Sequence, residues 1–153
     1  MVQAHEVDWR FPVLGFTPDG QMWGFQDLES LTVCDAHVMK DGDPMGMELV
    51  DAGGRSWRVV SMRGTERVKR RGWDLLNFLA PVPWRLEYEL EPVPEMTLDE
   101  VQRRACKAFE SERPEYEAHD EMHLYAAELA KIRSARSVAE IYDLLKPCDL
   151  NFC

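Results

Sequence analysis

Residues 45–62 read MGMELVDAGGRSWRVVSM, two alternating apolar runs on either side of a glycine-bearing turn. That is the pattern of a β-hairpin. With Ala52, Gly53 and Gly54 as the connection and Gly54 in the left-handed conformation of a bulge turn, Asp51 falls opposite Arg55, Leu49 opposite Trp57 and Met47 opposite Val59. Side chains alternate along a strand and directly opposed pairs touch, so Met47, Leu49, Trp57 and Val59 share one apolar face. An isolated hairpin does not persist in water. This face therefore needs a cover, and the expectation is that the C-terminal third of the chain supplies it.

Further strands are expected on both sides of the hairpin. Residues 11–17 and 21–26 form a pair around Thr17-Pro18-Asp19-Gly20, in which proline presets φ and glycine accepts the positive φ that ends the turn. Residues 31–39 alternate weakly and are read as a strand, followed by a turn at 40–44. After Met62 comes a polar connector, RGTERVKRRGW, and then a short apolar segment at 74–79 that suits either a helical turn or a buried strand. Residues 84–90 are clearer, with Trp84, Leu86, Tyr88 and Leu90 on one side and Arg85, Glu87 and Glu89 on the other.

From Pro92 onward the pattern is helical. Thr97 with Glu100 is a capping-box signature, and Leu98, Val101, Ala105, Ala108 and Phe109 form the stripe of a first helix. Pro114 begins a second, whose stripe is Ala118, Met122, Tyr125, Leu129 and Ile132. Ser137 with Glu140 opens a third, carrying Val138, Ile141, Leu144 and Leu145 and stopped by Pro147. Strands first and helices after is the order of an α+β fold. The expectation is a single domain: an antiparallel sheet of about five or six strands within residues 1–92, open to curling by twist, covered by two or three helices within 95–147.

A chain of 153 residues with 45% hydrophobic content is long enough for one well-formed core. Glu6 and Asp8 stand where a secretion signal needs a basic start, and the longest charge-free apolar run, residues 75–84, contains two prolines. Such a run is well short of the roughly 20 residues that span a bilayer. A cytoplasmic, membrane-free protein is expected, with Cys34, Cys106, Cys148 and Cys153 reduced. The net charge of −10 is unevenly spread. Residues 27–51 hold seven acids against Lys40, residues 52–84 hold seven basic residues against Glu66 and Asp74, and residues 95–153 hold thirteen acids against eight basic residues. Alternating blocks of this kind permit oriented docking to a charged partner.

No phosphate loop, nucleophile elbow or dinucleotide fingerprint occurs, and no carboxylate pair stands apart as a general acid and base. His119 and His123 have the four-residue helical spacing that lets two imidazoles share a metal. Asp120 replaces the glutamate of the zinc-protease motif and no third ligand is evident, so a polar helix edge is the plainer reading. Cys34 and His37 lie three apart on an expected strand and point to opposite faces, which rules against a nucleophile and base. Neither metal nor cofactor is predicted.

Two charged features remain. Arg67, Lys69, Arg70 and Arg71, closed by Trp73, combine cations with an aromatic that could stack on a base; the patch is short for nucleic-acid binding in an acidic chain. Glu110, Glu112, Glu115, Glu117, Asp120 and Glu121 gather around the single Arg113. They are the candidate surface for a basic partner protein. The leading expectation is a non-enzymatic interaction module that neutralises or regulates such a partner, by analogy with bacterial immunity proteins. The alternatives are a nucleic-acid-associated protein using residues 63–73, and a small-ligand binder or enzyme with a tryptophan-lined pocket between sheet and helices. A homodimer through exposed strand edges is compatible with each.

Overall fold

The computed structural model describes residues 1–35, 38, 44–68 and 83–147. Their order is β1 (Val2–Gln3), a 3-10 turn (Ala4–Glu6), β2 (Val13–Phe16), β3 (Met22–Phe25), α1 (Leu28–Thr32), β4 (Val33–Cys34), β5 (Glu48–Val50), β6 (Ser56–Arg67) and β7 (Trp84–Val93). There follow α2 (Leu98–Phe109), a 3-10 turn (Glu110–Glu112), α3 (Arg113–Ala118), α4 (Met122–Ser134) and α5 (Val138–Leu145). The fold is α+β. The antiparallel sheet runs β1-β7-β6-β5-β2-β3, with β4 also on the outer edge of β7.

The central hairpin has the expected register. Glu48, Leu49 and Val50 oppose Arg58, Trp57 and Ser56. Asp51 N–H donates to the Arg55 carbonyl at 3.0 Å and Val59 N–H to the Met47 carbonyl at 2.9 Å. Gly54 takes φ +85°, which a side chain would strain. The knot beneath the turn is the Asp51 carboxylate, 0% exposed. It accepts the N–H groups of Gly53 (2.9 Å) and Arg55 (3.1 Å) and the Arg55 Nε at 2.9 Å. Arg55 also donates to the Asp8 carbonyl, while Ala52 N–H donates to the Arg10 carbonyl at 2.7 Å. The N-terminal segment is thereby pinned over the hairpin, and Trp9 settles on Trp57 with ring centroids 4.6 Å apart.

The cover over the hairpin is the main correction. Met47, Leu49, Trp57 and Val59 are buried, but in a core completed by Val13, Trp23, Phe25, Leu86, Tyr88 and Leu90 together with the N-terminal Trp9 and Phe11. Strands from both ends of the sheet order contribute to this one core. The sheet therefore curls around it, and α1 touches both β3 and β7 across the opening. The C-terminal helices pack on the opposite face instead, where Leu14, Phe16 and Val50 meet Val101, Ala105, Ile132 and Ile141. The physical reason is that β2 is apolar on both sides: all four residues of VLGF are buried. Gly24 makes the close approach of α5 possible, since a Cβ there would overlap Pro147 and come within 2.7 Å of the Tyr142 ring.

Three local expectations change. Leu31 and Thr32 are helical, because Asp27 caps α1 by accepting the Ser30 N–H at 2.7 Å; only Val33 and Cys34 of the expected 31–39 strand are extended among the described residues. The connector after Met62 is strand as far as Arg67, held to β7 by Arg63–Glu87 (2.6 Å) and Arg85–Glu66 (2.9 Å). The segment at 74–79 lies outside the described residues. Both capping boxes form by half: Thr97 and Ser137 accept their N–H groups, but Glu100 turns to Arg103 and Arg104, and Glu140 to the Arg136 N–H. No helix among the described residues is long and apolar enough to cross a membrane.

Candidate functional site

The acidic run folds as an elbow between α2 and α4. Pro114 sits in the first turn of α3, where its missing N–H is no loss. At the far end Asp120 takes φ +57° and the helix stops, with Glu121 N–H donating to the Tyr116 carbonyl at 2.8 Å. The single second helix expected from Pro114 onward is therefore two, α3 and α4. His119 ends the first and His123 belongs to the second, so the helical spacing that would let them share a metal is interrupted. Among the described residues no group of three or more His, Cys, Asp or Glu side chains could hold a metal ion.

Aromatic contacts fasten the elbow from inside. Phe109 stacks on Tyr125 at 5.3 Å, and Tyr116 meets both rings, at 6.0 Å and 5.6 Å. With the apolar side turned in, all six acids turn out: Glu110, Glu112, Glu115, Glu117, Asp120 and Glu121 are exposed. Arg113 binds Glu117 at 2.8 Å. The other five carry no ion pair among the described residues.

Several cations elsewhere are committed. Arg58 and Arg104 both bind Glu48 at 2.7 Å, tying the hairpin to α2, and Arg104 also binds Glu100 at 2.6 Å. Hydrogen bonds from Arg103 and Arg104 pull the Glu100 pKa down to about 2. Of the nucleic-acid candidates, Arg67 lies over the Trp84 ring at 5.1 Å, while Lys69, Arg70, Arg71 and Trp73 lie outside the described residues.

One face of the elbow borders a groove of about 820 Å³. Its walls are the β2–β3 turn and the start of β3 (Asp19, Met22), the end of α2 with the elbow (Lys107, Phe109, Glu110, Glu112, Tyr116), and the end of α5 (Leu145, Lys146, Pro147). Asp19, Met22 and Lys146 were not foreseeable members, since only tertiary packing brings the first hairpin to the helical layer. Of the tryptophans expected to line a pocket between sheet and helices, Trp23 is among the groove's lining residues, though largely buried, while Trp9 and Trp57 belong to the core on the other face of the sheet. Cys34 is buried in that core, and burial, with Asp35 nearby, pushes its thiol up to about 11, the behaviour of an inert structural cysteine.

Comparisons of the chain with protein-family models, with curated proteins and with solved structures give no match.

Proposed function

We propose that this protein is a non-enzymatic interaction module that captures a basic partner protein through the acidic elbow, neutralising or regulating it in the manner of an immunity protein. The observation that carries this reading is that Glu110, Glu112, Glu115, Asp120 and Glu121 are all exposed on the elbow and carry no ion pair among the described residues. Like charges held together destabilise the fold that carries them, and a fixed cluster of one sign accelerates encounter with the opposite sign by roughly tenfold to a thousandfold at low salt. Nothing in the packing of α2, α3 or α4 needs those carboxylates.

The test is affinity purification from the native host at low and high ionic strength, followed by the same experiment with E115K/E117K/E121K. The wild type is expected to recover a basic protein whose yield falls steeply with salt, and the triple variant to lose it while keeping its unfolding midpoint. A partner held equally by both proteins refutes the assignment.

A further inference from the structure

We draw no further inference here: the strongest candidate, the cleft of about 580 Å³ between α2 and α4 where Arg133 stands beside half-buried Cys106, is lined by Asp99 and Glu110 as well as by Arg103 and Lys107, so its charge selects no ligand and a lone cysteine carries no site of its own.

Discussion

Replacing Asp51 with alanine is expected to cost about 3 kcal/mol. Its carboxylate is fully buried and holds two backbone N–H groups of the turn, a third from Arg10 at 3.4 Å and the Arg55 guanidinium at 2.7 Å. Removing one member of a buried ion pair costs about 3–5 kcal/mol, and hydrogen bonds to a charged group contribute about 1.5–3 each. Arg55 is 34% exposed and can turn to water, and the turn itself is partly wet, so the cost falls at the lower end of the range. The D51N side chain would keep one acceptor for the Gly53 and Arg55 N–H groups, and that variant is expected to lose about half as much. For a chain of this length about 3 kcal/mol lowers Tm by roughly 6–12 °C. The assay is urea unfolding followed by tryptophan fluorescence, which also reports Trp9 lifting from Trp57 as the N-terminal segment is released. A D51A stability within about 0.5 kcal/mol of wild type, the scatter of ordinary surface substitutions, would refute the claim that this carboxylate is the knot of the hairpin.

G24A is expected to destabilise by about 1–3 kcal/mol, because its methyl must displace Pro147 and the Tyr142 ring, and urea unfolding measures it. The Glu100 carboxyl titrates at about 2 when folded and at about 4.3 when unfolded, so its pairing with Arg103 and Arg104 is fully present above the unfolded value and fades from roughly pH 5 to 2. E100Q should therefore flatten the acid limb of the stability curve, and an unchanged slope would dismiss the pairing. In a C148S/C153S background iodoacetamide should label half-buried Cys106 well before buried Cys34, whose thiol is pushed up to about 11, and peptide mapping that finds Cys34 labelled first contradicts its burial.

The features legible in the sequence were those that depend on near neighbours. The 45–62 hairpin, its register and the positive φ of Gly54 follow from alternation and turn chemistry, as do the stripes of α2 and α5. The face on which the helices pack was not legible from the hairpin, because its apolar side says only that something covers it. The informative residues were in β2, where Leu14 and Phe16 are as buried as Val13, and a run without alternation implies two cores. The second half of β6 was hidden for the opposite reason. Arg63, Thr65, Glu66 and Arg67 are exposed, and cross-strand pairing with β7 keeps them extended rather than burial. The Asp27 cap was present in the sequence, but weak alternation from Leu31 competed with it. The break at Asp120 has neither glycine nor proline to announce it. As for the site, the six acids were legible by count, while the groove beside them was not, since Asp19 and Lys146 reach it only through the docking of α5 on β3.

The partition of charge bears on which of the two charged surfaces is available to a partner. Exposed ion pairs contribute little to stability, about 0–1 kcal/mol each, so the pairs of Arg58, Arg63 and Arg85 are weak evidence about folding. Their effect on the field is larger. At physiological salt charges are screened over about 8 Å, and a cation held at 2.6 to 2.9 Å from its acid is, at that range, a small dipole. The described part of the basic ribbon is therefore close to neutral to an approaching polyanion, and Arg67 over Trp84 is its main unbridged cation. At the elbow one guanidinium is spent on Glu117, and the remaining five carboxylates carry no ion pair among the described residues, with Lys107 and Lys146 the nearby cations of the groove. Among the described residues, then, the acidic stretch keeps more of its charge unbridged than the described part of the basic ribbon does, and it borders a groove lined by both signs of charge.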